Sequence, residues 1–353
     1  PGHFGPEKLL TWRKAMGSTQ VAMCVVATGT VAAGSYRSLQ LDTLAGQNQE
    51  VKEALVTMQP GTAMLFPVVA SIALLTLFYF VGDIGVIIIS LTCFSNGCAI
   101  AFSLQPCFAW FTGSENRGGA IGLVCAVLCV GGWLLTGHWL YNNVMGVCAC
   151  TMAVSLIRLP NSKVATLLFS LLFVYDAFWV FASEPLFGSN VMVSVATSEP
   201  RNPLHFVISG LLHINTTIPE TLDLPAKLIL PDLSKPSGAS MLGLGDIALP
   251  GLLAALSLRL DVKRGRRAGV AFGATMAGYA VGIVLAMLAV YIFRVAQPAL
   301  IYLVPGVLLP LHYVAWTRGF LMELWNGNTD TAYPEPKKSE DPDQVEMETA
   351  PLV

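Results

Sequence analysis

Charged side chains vanish from this chain over long intervals. No Asp, Glu, Lys or Arg lies between Glu53 and Asp83, Asp83 and Glu115, Arg117 and Arg158, Arg267 and Arg294, or Arg294 and Arg318. About 20 such residues carry a helix across a bilayer core, so each interval accommodates a membrane crossing. The uncharged stretch 118–157 would be about 60 Å long as one helix, twice the core thickness, which predicts a reversal at Gly137-His138. The stretch 54–104 carries only Asp83, preceded by Gly82, which predicts a tight hairpin there. The pattern predicts an all-α polytopic membrane protein with nine transmembrane helices, near 17–35, 61–82, 84–104, 119–136, 139–157, 164–183, 240–258, 269–293 and 298–316.

Composition agrees with this. Of 353 residues, 54% are hydrophobic and only 12% charged, with a mean hydropathy of +0.63; soluble proteins run at about 25% charged. A net charge of -2 with no long basic run offers nucleic acid nothing to hold. All eight cysteines fall in or beside apolar runs, where thiols act as small buried hydrophobes, so neither a disulfide framework nor a zinc site is expected.

Nine crossings put the termini on opposite faces. The face holding the C-terminus collects 13 of the 20 Lys and Arg residues, among them Arg37, Arg158, Arg259 and Lys263, against seven on the other. The positive-inside rule makes the C-terminus cytosolic and the N-terminus lumenal. The sequon Asn215-Thr216-Thr217 lies in the long loop 184–239 on the lumenal side, consistent with Asn215 as a glycosylation site. The expected organisation is a short lumenal segment 1–16, a nine-helix domain 17–325 and a disordered acidic cytosolic tail 326–353. The chain starts at Pro1 with no secretory signal pattern.

Two acids interrupt apolar spans: Asp176 in Val174-Tyr175-Asp176-Ala177 and Asp246 in Gly243-Leu244-Gly245-Asp246-Ile247. An ionisable group at that depth marks a functional site. Asp176 follows Lys163 by the same interval by which Asp246 precedes Arg259. At 1.5 Å per residue, two antiparallel helices would present both carboxyls about 20 Å from one basic flank. Two close carboxyls do not ionise together, and the half-protonated pair is the state an aspartic protease uses to activate water. Gly243 and Gly245 remove side chains beside Asp246 and permit a close approach by a substrate backbone or a neighbouring helix. Depth and pairing equally suit the proton relay of a transporter.

Three motifs narrow the choice. Tyr175-Asp176, Gly243-Leu244-Gly245-Asp246 and Gln297-Pro298-Ala299-Leu300 resemble the YD, GxGD and QPAL signatures of the signal peptide peptidase and presenilin superfamily of intramembrane aspartyl proteases, in order and on the sixth, seventh and ninth expected spans. The likeness runs from about residue 60 to 325, taking in Ile157-Arg158-Leu159-Pro160 and Leu224-Pro225-Ala226-Lys227-Leu228. Within the superfamily the chain is most similar to the branch called signal peptide peptidase-like protein three. It departs from the branches with a large protease-associated domain, since only the short segment 1–16 precedes the first span, and it ends Ala350-Pro351-Leu352-Val353 without a dilysine signal. That tilts the expected compartment from endoplasmic reticulum toward Golgi.

The resemblance implies that Asp176 and Asp246 are catalytic and that Tyr175, Gly243, Gly245, Gln297, Pro298, Ala299 and Leu300 serve substrate binding. It implies as partners the transmembrane segments of type II membrane proteins, Golgi glycosyltransferases among them, together with the lipid bilayer. No metal or organic cofactor is implied, and self-association into a homo-oligomer is left open. An opened substrate helix needs a strand partner, for which Leu228-Ile229-Leu230 between Pro225 and Pro231 is the candidate. Pro298 limits helix around Gln297 and exposes backbone carbonyls there. Gly269, Gly273, Ala277, Gly278 and Gly282 predict a small-residue packing face. Among rivals, a site-two metalloprotease needs His-Glu-x-x-His, which the five histidines do not form. A rhomboid reading of Ser240 with His312 places the two near opposite faces. A transporter, channel or scaffold on the same fold is the remaining alternative.

Overall fold

The computed structural model describes residues 6–211, 217–231, 239–265, 269–293 and 297–327. A backbone in hydrocarbon must satisfy its own hydrogen bonds, so the apolar runs are helical. The helices are α1 (Pro6–Ala45), α2 (Gln49–Ala54), α3 (Pro60–Thr112), α4 (Glu115–Thr136), α5 (Trp139–Leu156), α6 (Ser162–Phe181), α7 (Ser183–Phe187), α8 (Val191–Ala196), α9 (Pro203–His205), α10 (Gly245–Lys263), α11 (Val270–Phe293), α12 (Leu300–Thr317) and α13 (Leu321–Asn326). Strands β1 (Val56–Thr57) and β2 (Ile157–Arg158) pair in parallel, and β3 (Lys227–Pro231) pairs antiparallel with β4 (Ala239–Gly243). The chain is a mostly helical polytopic membrane protein: among the described residues, five helical segments are long and apolar enough to cross a bilayer, in α3, α4, α6, α11 and α12.

Helix α10 occupies the centre. Every residue from Pro250 to Leu258 is buried, so the helix is enclosed on all sides, as a helix apolar all round must be. Met23 and Val31 of α1, Leu168 and Phe169 of α6, Tyr279 and Ile283 of α11, and Leu303 and Val307 of α12 pack in one cluster with it. A satellite cluster joins Ile89 and Ile100 of α3, Ala126 and Trp133 of α4 and Met145 of α5. The basic flank is tied to this core by the buried Asp42 of α1, which pairs with Arg158 of β2, and by Arg259 of α10, which donates to Ser38 of α1 at 3.4 Å. Glycines set the closest helix contact: a Cβ on Gly278 of α11 would run into the Gly306 carbonyl of α12, and one on Gly282 would lie 3.2 Å from Leu303. Of the expected small-residue face, Gly278 and Gly282 therefore pack, whereas Gly273 faces open space.

Two expectations are corrected. No loop separates 61–82 from 84–104: every residue of Pro60–Thr112 is helical, and Gly82 is not among the glycines with positive φ. The neighbours nevertheless exclude a straight rod. Met58 donates to Arg158, Arg158 pairs with Asp42, and Arg37, on the same helix as Asp42, covers the Phe102 ring at 5.2 Å. A straight helix would hold Phe102 about 66 Å from Met58, far beyond that short relay of side chains. The axis turns back between Phe78, whose ring meets Phe187 of the loop, and Ile89, which packs with Trp133 near the end of α4. The helix carries no coil where the sequence carries no turn residue beyond Gly82.

The second correction concerns 240–258. Residues 239–243 are strand, and the helix is Gly245–Lys263, so Asp246 stands in a first helical turn and not within a span. The ninth expected segment likewise begins at Leu300, with Gln297 and Pro298 outside the helix. The loop 184–239 is structured where it is described: the Asn202 amide donates to Leu134 of α4 at 2.8 Å and to Pro219 at 3.0 Å. The sequon residue Asn215, residues 1–5 and the tail beyond Gly327 lie outside the described residues.

The contact at Gly278 has a measurable consequence. Gly278→Leu is expected to destabilise the detergent-solubilised protein by about 1–3 kcal/mol through overpacking. Gly273→Leu, on the open face, is expected to leave the thermal midpoint unchanged or raised, and paired melting curves check both.

Candidate active site

Asp176 and Asp246 reach the protein interior from different kinds of element. Helix α6 starts where Asn161 accepts the Val164 N–H at 2.8 Å, and Asp176 lies in its C-terminal half, buried. Its Oδ2 accepts the main-chain N–H of Leu300 at 3.0 Å. That N–H is available because Leu300 opens α12, and first-turn amides have no intrahelical acceptor. The positive end of the α12 dipole thus faces the Asp176 carboxyl. Pro298, buried just before the helix, stops it from extending backward and keeps this amide at a terminus.

Asp246 stands in the first turn of α10, directly after β4. A Cβ on Gly243 would lie 3.2 Å from Asp246 Oδ2, so the carboxyl folds back over a position that only glycine leaves clear. Gly245 has nothing within 4 Å of its missing Cβ and is exposed. The Asp246 main-chain carbonyl accepts the Tyr279 hydroxyl at 3.0 Å. Neighbours of both acids share one cluster: Tyr175 and Leu300 beside Asp176, and Leu244 and Ile247 beside Asp246.

Next to this pair lies the short hairpin. β3 and β4 register Leu228 with Leu242, Ile229 with Met241 and Leu230 with Ser240, so the expected strand Leu228-Ile229-Leu230 is a strand in the structure. Its outer edge is closed by α5. The Asn143 amide donates to the Ile229 carbonyl and accepts the Ile229 N–H, both at 2.8 Å, and Asn142 donates to the Lys227 carbonyl at 2.8 Å. Because Ile229 points its main-chain groups toward Asn143, alternation along an antiparallel ladder points those of Ala239, Met241 and Gly243 away from β3. That edge of β4 leads straight into Leu244, Gly245 and Asp246.

The remaining expected residues divide. Tyr175 packs its ring 6.4 Å from that of Trp179, and among the described residues its hydroxyl has no hydrogen bond to either carboxyl. Gln297 and Ala299 are half-buried beside the buried Pro298 and Leu300. Ser240 sits in β4 while His312 Nε2 lies 2.8 Å from Ser162 Oγ, so that pair is not assembled. Among the described residues no group of three or more His, Cys, Asp or Glu side chains could hold a metal. Sequence reasoning missed Asn142, Asn143, Pro250 and Tyr279. The first two were signalled by two adjacent amides inside an apolar run, and Pro250 by its place one helical turn after Asp246.

Comparison with known proteins bears on what such a pair does. The family described as Signal peptide peptidase matches residues 50–331. Signal peptide peptidase-like 1 of Oryza sativa subsp. japonica is 36% identical over 350 residues, covering 87% of this chain and 92% of the relative. Signal peptide peptidase-like 1 of Arabidopsis thaliana is 33% identical, covering 91% of this chain and 96% of the relative. Signal peptide peptidase-like 3 of the same rice is 30% identical, covering 86% of this chain but 59% of the relative. The type-one rice relative is therefore more similar than the type-three one, against the branch expected from the motifs. No solved structure matches.

The hairpin predicts its own disruption. Asn143→Ala leaves the Ile229 N–H and carbonyl unpaired, and hydrogen exchange at the Ile229 amide is expected to accelerate roughly tenfold to a hundredfold, while amides of α10 keep their protection.

Proposed function

Because this chain belongs to the signal peptide peptidase family and is an intramembrane aspartic protease, we propose that Asp176 and Asp246 are its catalytic pair. What supports this is that the neighbours of both acids, Tyr175 and Leu300 beside Asp176 and Leu244 and Ile247 beside Asp246, pack in one cluster, with Asp176 held by the Leu300 N–H. Two carboxyls so placed hold one proton between them. The ionised member takes a proton from water as its oxygen attacks the peptide carbonyl carbon, and the protonated member gives its proton to the carbonyl oxygen. The resulting gem-diol collapses when one of its hydroxyls returns a proton to the ionised member of the pair, the C–N bond breaks and the departing nitrogen takes the proton of the other member. The ledger closes with one water consumed and one proton again shared.

Substrate reaches this pair as an extended strand. A helical amide is shielded by its own hydrogen bonds, whereas a strand added to the free edge of β4 would run past Gly243 and Gly245 and bring a peptide bond beside Asp246. Gly243, Gly245 and Gln297 through Leu300 then line the substrate on two sides, with Tyr175 on the α6 side. Transmembrane segments of type II membrane proteins are the proposed substrates, in the manner of a sheddase acting on Golgi glycosyltransferases. That choice is supported by the motif likeness and by the charge distribution, which favours a lumenal N-terminus, a cytosolic C-terminus and nine crossings with α3 counted as two. Golgi residence and glycosylation at Asn215 belong to the same proposal.

The test is cleavage of a type II reporter in purified membranes by the intact protein, Asp176→Ala and Asp246→Ala at matched expression. Each substitution is expected to lower the rate by on the order of a thousandfold or more. Persistent cleavage in either variant would refute the pair. Reporters left intact beside a pH-dependent ion flux that both substitutions abolish would instead identify a transporter.

A further inference from the structure

The main-chain carbonyl of Asp246 lacks the usual donor four residues on in its own helix. In an α-helix that carbonyl accepts the N–H of the residue four positions on, and that residue is Pro250, which has none. The Tyr279 hydroxyl of α11 occupies the vacant place, donating to the carbonyl at 3.0 Å. Tyr279 is fully buried, so water does not compete for the bond. Its height on α11 is set by the glycine contacts with α12 on either side of it in sequence, Gly278 and Gly282. The other end of the same turn is held by the hairpin: the Leu244 N–H donates to Ala226 at 3.0 Å, and the Leu244 carbonyl accepts Ala248 at 2.9 Å.

We propose that Tyr279 is a positioning residue for Asp246, replacing from a neighbouring helix the backbone donor that Pro250 removes. This rests on the catalytic assignment of Asp246. The carbonyl and the carboxyl of Asp246 belong to one residue, so a bond that fixes the peptide plane after it also fixes the direction of its Cα–Cβ bond. Without the hydroxyl, the first turn of α10 is anchored only through Leu244, and the carboxyl moves relative to Asp176. An ordinary α10 with an N–H at position 250 would not need Tyr279, and that makes the role separable from packing.

The experiment is a double-mutant cycle on the full chain in detergent or liposomes. Tyr279→Phe keeps the ring and removes the donor; Pro250→Ala returns an N–H to position 250. Tyr279→Phe alone is expected to lower kcat about tenfold, the loss of one buried hydrogen bond, with KM and the thermal midpoint little changed. In the Pro250→Ala background the same change is expected to alter kcat less than twofold. Unchanged kcat in Tyr279→Phe, or an equal loss in both backgrounds, would overturn the proposal. A second readout does not depend on turnover: the infrared carboxyl band assigned by Asp246→Asn should shift in Tyr279→Phe and return in the double variant. A band that follows this cycle in a protein that cleaves nothing would uphold the positioning role while the protease assignment of Asp246 fails. A band unmoved by Tyr279→Phe would remove the positioning role whatever the activity.

Discussion

Around the two carboxyls the chain stops being regular helix, and in hydrocarbon every backbone group released there must find a partner inside the protein. Three such breaks occur close together, and each is closed from another helix. Pro298 keeps Leu300 at the start of α12, and Asp176 of α6 accepts the Leu300 N–H. Pro250 strips the donor from the Asp246 carbonyl, and Tyr279 of α11 supplies it. The hairpin edge at Ile229 is met by both ends of the Asn143 amide from α5. The irregularity that lets acids and a strand exist at this depth is thus the feature that fixes their places.

Those repairs work only if the helices keep their register, and the core supplies that. Enclosure of Pro250–Leu258 on every side prevents α10 from rolling. Glycine contacts between α11 and α12 prevent either from sliding, since backbone meets backbone at Gly278 and Gly306. At the basic end the buried Asp42–Arg158 pair and the Arg259–Ser38 bond join α1, β2 and α10. A buried ion pair stabilises little against its own desolvation, but it is costly to break one-sidedly, so it specifies register better than it adds stability.

Much of this was legible in the sequence because it follows from elementary exclusions. Charge-free intervals mark helices, and equal spacing of Asp176 and Asp246 from Lys163 and Arg259 singles them out as one candidate site. What was not legible depends on which groups meet. The reversal near Gly82 uses no coil, so it carries no turn residue beyond one glycine. The start of α10 was misplaced because Ala239–Gly243 is apolar enough to read as helix, and only pairing with Lys227–Pro231 makes it strand. Tyr279 and Asn143 are single polar groups in apolar runs, and their partners lie 33 and 86 residues away in the chain.

The two edges of the hairpin differ in how they are covered. On β3 the outward groups of Ile229 are capped by side chain, yet those of β4 at Ala239, Met241 and Gly243 point away from their partner strand, and the Met241 side chain is 54% exposed. An open edge is ordinarily a liability, blunted by charge, proline or cover. Here the capped edge faces α5 and the open one runs into Asp246, so the asymmetry is directional. On the proposed function, an incoming extended backbone would pair on the β4 side, which leads toward Asp246. Gly243, last in the strand, has no side chain to obstruct it and is also the position over which Asp246 Oδ2 folds. On the proposed mechanism, loss of that glycine would disturb the approaching strand and the Asp246 carboxyl together, because a Cβ there lies 3.2 Å from Asp246 Oδ2.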